Sequence, residues 1–422
     1  MLQIIRSTNK QALDQLLRAR QTRLEEAEPV ARRILDDVRR QGDRALVRYA
    51  RKFDGVDLRQ EGFTVSAREV REARRNAPRS VIAALRVAAR NIRAVASLQL
   101  PRPWQAANGV GIKLGQLVRP LDRVACYVPG GRFPLPSTVL MSVIPAQVAG
   151  VREIVITSPR PAPAVLVAAD FLGIKEIFRL GGAQAIAAFA YGTESVKRAD
   201  KIVGPGNRYV AAAKKLVAGE CGIDFVAGPT ELVVVGSHGQ PQWIASDLVA
   251  QAEHDPDAVA IFITPSRRLA LRVQASVTSI LEELDSDGAA NAKKSLARQG
   301  AIILTRDLSE AVVLANTLAP EHLTLTEGTS RMLDRVTSAG SIFLGDYSAV
   351  AAGDYASGSN HILPTGGAAR LRGGLSAADF VKTISVQRLS RNGLARLRRA
   401  IVTLATVEGL KAHVHSVETR FT

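Results

Sequence analysis

The chain has 422 residues, of which 46% are hydrophobic and 23% charged, and it carries two cysteines and a formal net charge of +17. Such a length exceeds one hydrophobic core and implies two or more domains, and two cysteines, Cys126 and Cys221, cannot build a disulfide framework. No apolar run reaches the roughly 18 residues of a membrane span, and the opening "MLQIIRSTNKQALDQLL" lacks a signal-peptide core, so a cytoplasmic, non-membrane enzyme is the expectation. Residues 1–20 read as a helical tail, and the first hundred residues stay mostly helical, with apolar positions such as Ile34, Leu35, Val38 and Leu46. From about Val124 the pattern changes. Short β-branched runs ("VACYV", "EIVIT", "EIFRL", "KIVG", "ELVVVG", "VAIFIT", "AIILT", "SIFLG") alternate with helix-like stretches, and Gly or Pro separates nearly every pair. That alternation predicts parallel sheets built from βαβ units. Gly228-Pro229 marks a junction between two such units, and residues 376–415 read as helical again.

The positive charge is confined to the ends. Residues 1–100 carry 22 Lys/Arg against 12 Asp/Glu, residues 370–422 carry 10 against 3, and the middle is balanced at 24 of each. Basic clusters can bind phosphate backbones. These segments, however, show no aromatic interleaving, zinc-knuckle spacing or recognition-helix pattern, so a solvated helical face is predicted rather than a nucleic-acid partner.

In open parallel sheets, ligands sit beyond the C-terminal ends of the strands. That rule singles out "YVPGGRFPLPS", "RLGGAQA", "VGPGNRYV" and the glycine-rich "AAGDYASGSNHILPTGG". The last has neither helical nor strand periodicity, yet holds Asp354 and His361; glycine would let such a loop wrap an ion. Gln251 and His254 are three apart on a helix and share one face, a weak metal-site signal that a simple cationic helix end would also explain. Glu321 and His322 follow Pro320 and precede a strand-like run. Adjacent residues there point to opposite faces, which would suit two separate proton transfers or an exposed polar turn. Cys126 sits among apolar residues on a predicted strand and reads as buried rather than nucleophilic. His238 reads as a solvated loop residue, and His415, in the tail, has no clear role. No GxGxxG follows any strand; "VGPGNRY" lacks the third glycine. The residues by themselves thus point to a metal-assisted α/β enzyme with its cofactor open.

Taken together, "YVPGG", "PLPSTVLM", "GGAQAIAA", "KIVGPGN", "AGPTE", "DLVAQAEHD", "APEHL", "GDYASGSNHILPT" and "EGLKAH" resemble the histidinol dehydrogenases, in family order from about residue 120 to the end. The resemblance implies a zinc-dependent, four-electron oxidation of L-histidinol through L-histidinal to L-histidine, with two NAD reduced. It implies two Rossmann-like parallel-sheet domains with helical N- and C-terminal tails: a tail 1–20, a discontinuous catalytic domain of 21–126 with 231–375, an NAD-contacting domain 127–230, and a tail 376–422 that completes the partner's site in a homodimer. Carried over by position, one zinc ion per subunit would be held by Gln251, His254, Asp354 and, from the partner's tail, His413. His322 would be the general base on the hydroxyl, and Glu321 would activate the water that attacks the aldehyde. Thr230, His361 and Glu408 would contact substrate together with Gln251, His254, His322, Asp354 and His413. Tyr127, Gln184 and Asn207 would contact NAD.

Thr230 stands where the family more often has Ser, adding a methyl group to the substrate pocket. The basic termini are not part of the family pattern. A related zinc/NAD dehydrogenase of another small polyol or amino alcohol is the alternative; Glu408 favours a cationic amine over an anionic substrate.

Overall fold

A computed structural model describes residues 2–19, 24–130, 134–284 and 287–422. Of the "YVPGGRFPLPS" stretch, residues 131–133 lie outside the described residues. The runs expected to be strands form two parallel sheets. The larger has six strands in the order Gln3–Arg6, Gly300–Leu304, Val259–Thr264, Glu231–Val235, His322–Leu325 and Ser341–Leu344. The second has five, ordered Ile177–Phe178, Glu153–Thr157, Arg123–Tyr127, Lys201–Val203 and Gly222–Ile223. The junction at Gly228-Pro229 does separate the two: the last strand of one sheet ends at Ile223 and the next begins at Glu231.

Both sheets are covered on both faces, which is why their strands read as continuous apolar runs. On the five-stranded sheet, Ala125, Val155 and Ile202 face the helices Leu24–Gln41, Gly182–Tyr191 and Arg208–Val217. The alternate residues Val124, Cys126 and Ile156 face Arg79–Leu98, Pro136–Ala149 and Pro163–Phe171. On the six-stranded sheet, Leu232, Val234 and Phe262 face Pro241–Glu253, Arg267–Glu283 and Asp287–Gln299. Val233, Ile261, Leu323 and Leu325 face Leu308–Leu318 on the other side, where Leu13, Leu16 and Leu17 of the Lys10–Ala19 helix also pack.

Three expectations need correcting. The tail 1–20 is not wholly helical: Gln3–Arg6 is an edge strand paired in parallel with Ala301–Leu304. The C-terminal segment contains a nine-residue strand, Val381–Leu389, antiparallel to Ile112–Pro120, which pairs in turn with Trp104–Ala107. The expected grouping of 21–126 with 231–375 is also not how the packing divides. Arg123–Tyr127 is the central strand of the five-stranded sheet, and the helices between residues 24 and 98 close its two faces. Among the described residues no helix is long and apolar enough to cross a membrane.

Candidate active site

The expected catalytic residues converge at the N-terminal edge of the six-stranded sheet, not at its C-terminal edge. Thr230 immediately precedes the strand Glu231–Val235, and His322 is the first residue of its neighbour His322–Leu325. The helix Pro241–Glu253 runs back across the sheet, so its last turn brings Gln251 and the C-cap His254 to the same edge. Ahead of His322, Ala319 caps the preceding helix at φ 45°, the only non-glycine residue with positive φ among the described residues. A left-handed Ala is strained, and the strain lies two residues from Glu321, where the chain must turn from helix to strand around Pro320.

Because the strand begins at His322, Glu321 does not take the opposite-face arrangement expected of it. Its Oε2 lies 3.7 Å from His322 Nδ1. That oxygen also accepts from Thr230 Oγ1 at 2.5 Å and from the backbone N–H of Glu231 at 2.8 Å. Thr230 in turn accepts from the side-chain amide of Gln251. The threonine hydroxyl therefore bridges Gln251 and Glu321. His322 Nδ1 lies 3.1 Å from the carbonyl of Glu231, and its Nε2 lies 3.4 Å from Asp354 Oδ1, too far for a formed hydrogen bond. Glu321 and His322 are both buried.

These groups are electrostatically unusual. Burial pushes the Glu321 carboxyl up to about 7, against the pull of His322 and its hydrogen bonds from Thr230 and Glu231. Burial alone would lower His322, but the carboxylates of Glu321 and Asp354 outweigh it and hold the imidazolium up to about 9. Burial likewise works to raise Asp354, yet His322, His361 and His254 keep it below the usual carboxylate range.

Asp354 is not on an irregular loop: the first part of the glycine-rich stretch forms a short helix, Val350–Tyr355. Its Gly353 packs so close to Phe343 that a Cβ there would lie 2.6 Å from the ring. His361 closes the wall from the following segment. Its Nδ1 donates to the Asp354 carbonyl at 2.8 Å, which leaves Nε2 as the acceptor for Thr138 Oγ1 at 3.2 Å. Burial pulls the His361 pKa down, consistent with that neutral form. Thr138 belongs to the helix Pro136–Ala149 of the other sheet, so the site spans both layers. Nothing about a lone Thr in "PLPSTVLM" marked it beforehand except its place in a recognisable motif.

The structure thus brings together Thr230, Gln251, His254, Glu321, His322, Asp354 and His361. It does not bring Glu408 or His413 to the site of their own chain. Glu408 ends the helix Arg391–Val407 and His413 lies on Lys411–Glu418; these helices pack on each other, and both side chains are exposed. Among the described residues, no three His, Cys, Asp or Glu side chains group closely enough to hold a metal.

The residues expected at a dinucleotide do follow strand C-termini, on the five-stranded sheet. Tyr127 ends its strand; its buried hydroxyl accepts from Gly182 N–H at 3.1 Å and is pushed up to about 12 by burial. Asn207 caps the helix Arg208–Val217. Gln184 is fully buried and donates to Asp54 Oδ2 at 2.9 Å, while its Oε1 has no partner among the described residues. Asp54, pushed up to about 6 by burial, was not anticipated from sequence; its partner lies 130 positions away. Cys126 is fully buried and pushed up to about 12, which fits its expected structural role.

A sheet edge that gathers a buried Glu–His pair, a bridging Thr and two further histidines around an Asp is a candidate active site of an α/β enzyme. Comparison with known proteins makes this specific. A family model described as histidinol dehydrogenase matches residues 17–421. The histidinol dehydrogenase of Methanothermobacter thermautotrophicus is 49% identical over 92% of both chains, and that of Syntrophotalea carbinolica 47% identical over 97% of this chain and 96% of its own. A crystal structure of histidinol dehydrogenase from Elizabethkingia anophelis superposes with a TM-score of 0.89 at 37% identity, covering 93% of this chain and 92% of that one. The chain belongs to the histidinol dehydrogenase family and is an oxidoreductase.

Proposed function

We infer that this cytoplasmic enzyme oxidises L-histidinol through L-histidinal to L-histidine and reduces two NAD. The observation that carries this reading is the buried Glu321–His322 pair, since a four-electron oxidation in one pocket has two separate proton transfers and the pair supplies two adjacent proton acceptors. Oxidation of the alcohol releases a hydride from the carbinol carbon and a proton from its hydroxyl, and His322 takes that proton. Oxidation of the aldehyde needs a water to add to the carbonyl carbon; Glu321 takes the proton that this water loses. Thr230 and the Glu231 N–H fix the receiving oxygen of Glu321. His361, held neutral between Asp354 and Thr138, is suited to orient substrate.

The donor types fit zinc: Gln251, His254 and Asp354 offer one amide oxygen, one imidazole and one carboxylate. Because the Gln251 amide nitrogen is committed to Thr230, its oxygen is the atom left for a metal. His413 of the partner subunit would complete the set, and Glu408 of the partner subunit would meet the substrate ammonium, in a homodimer with exchanged tails. The exposure of both residues together with that of Leu404, Val407 and Leu410 on the same segment supports this arrangement. When bound, the metal would anchor the substrate's imidazole and amine and so fix the carbinol carbon in place. For NAD, the unpartnered buried Oε1 of Gln184 is an acceptor awaiting a donor, which supports a ligand near Tyr127 and Asn207.

Purified protein should form NADH with L-histidinol, lose the activity to a chelator and regain it with added zinc. Turnover of another diol or amino alcohol, with no NADH from histidinol, would overturn the substrate assignment.

A further inference from the structure

The six-stranded sheet has a second feature, at the edge opposite the candidate active site. Chain connections leave the Glu231–Val235 strand toward Val259–Thr264 on one side, while His322–Leu325 lies on its other side. In doubly wound sheets the crevice beyond the C-terminal ends of such a strand pair is the usual ligand position. A cavity of about 20 Å³ opens there, lined by Val234, Asp247, Thr324, Thr326, Gly345 and Asp346 among others. That is room for a water-sized occupant.

The lining is acidic and incomplete. Asp247, on the helix Pro241–Glu253, has no hydrogen-bond or ion-pair partner among the described residues, and only burial acts on it, pushing its carboxyl up to about 6. Thr324 is 5% exposed and its Oγ1 has no partner. The other carboxylate, Asp346, already accepts from the Glu327 N–H at 2.8 Å, and Thr326 Oγ1 donates to the His238 carbonyl. Among the described residues, no Lys, Arg or His lines the cavity. Asp247 is half-buried, and a carboxylate drawn partly out of water with no partner favours a positive charge beside it.

We propose that Asp247 and Thr324 form a site for one monovalent cation of about the size of water, such as potassium, sodium or ammonium. Asp247 lies one turn before Gln251 and two before His254, and Thr324 lies two residues after His322 on the same strand face. The ion therefore ties the helix that carries Gln251 and His254 to the strand that carries His322, from behind the active site. This site does not depend on which substrate the enzyme oxidises.

The test is thermal unfolding of the full-length protein at pH 8, where Asp247 is ionised, in potassium, sodium, ammonium or choline chloride at fixed ionic strength. At least one small cation should raise Tm saturably over choline, by about 2–4 °C, and quench or shift the emission of Trp243, which lines the same cavity. Asp247→Asn should remove the dependence and, in choline, match or exceed the Tm of the parent protein, because the uncompensated charge is gone. Thr324→Val should keep the response but raise the half-saturating concentration about tenfold, and it serves as the test should Asp247→Asn fail to fold. Crystals grown with thallium should show an anomalous peak between the two residues. Equal Tm in all four salts, or a response that survives Asp247→Asn, would overturn the site.

Discussion

Glu321→Gln is expected to stop the reaction halfway. Under the proposed roles, histidinol would still be oxidised to the aldehyde, giving one NADH per site, while oxidation of added histidinal would fall by about 10²–10⁴-fold, the usual worth of a positioned general base. His322→Asn should show the reverse pattern, with histidinal still oxidised and the alcohol step slowed. The pH dependence separates a proton role from a structural one. Glu321 must be ionised to accept a proton, so the aldehyde step should rise through about pH 7, where burial places its carboxyl. His322 must be neutral to accept one. Burial favours that form, but the neighbouring carboxylates hold the imidazolium to about pH 9, so the alcohol step should rise later. Glu321→Gln removes one of those two carboxylates from the vicinity of His322, and the rising limb of the alcohol step should then move to lower pH. Equal slowing of both half-reactions, with no movement of that limb, would show that Glu321 only shapes the pocket.

How much of this was readable beforehand depends on what each feature rests on. The central strands between 123 and 325 were legible because a parallel strand buried on both faces must be apolar throughout, and "VAIFIT" or "ELVVVG" is little else; the two-residue edge strand Gly222–Ile223 was not. Val381–Leu389 was not, because "VKTISVQRL" is exposed along most of its length, and its partner Ile112–Pro120 lies more than 250 residues away. Gln3–Arg6 is too short to signal an edge strand in a polar opening. Site residues could be named through motifs, but their placement could not. Which edge of the sheet they occupy is set by the return of the Pro241–Glu253 helix, and the contact of Glu321 with His322 by where a strand begins. Asp54 carries no local signal and Thr138 none beyond its motif, because each matters only through a partner distant in sequence.

Asp224→Asn is expected to be the most destabilising conservative change outside the site, at about 3–5 kcal/mol. Lys214 and Asp224 form an ion pair in which both residues are almost entirely buried, 2% and 4% exposed. Asp224 accepts from the Gly204 N–H at 2.7 Å, and Lys214 donates to the Gly204 carbonyl at 2.9 Å. The pair thus holds both sides of one glycine in "VGPGN". That glycine has φ 117°, and a Cβ on it would lie 2.1 Å from the Tyr127 carbonyl oxygen, so the loop is pressed against the end of the central strand. Removing one partner leaves the other charge buried without compensation, which costs more than the pair itself is worth. It follows that Lys214→Met combined with Asp224→Leu should lose less stability in urea unfolding than Asp224→Asn alone, despite removing more polar contacts. The two forms should behave alike in function. Both free the loop that carries Asn207, so both should raise the KM for NAD while leaving the KM for histidinol near its original value. If the double variant were instead the less stable, the pair would be contributing net attraction and not merely compensating two buried charges. If KM for NAD did not move in either, the clamp would serve the fold alone and Asn207 would not need it.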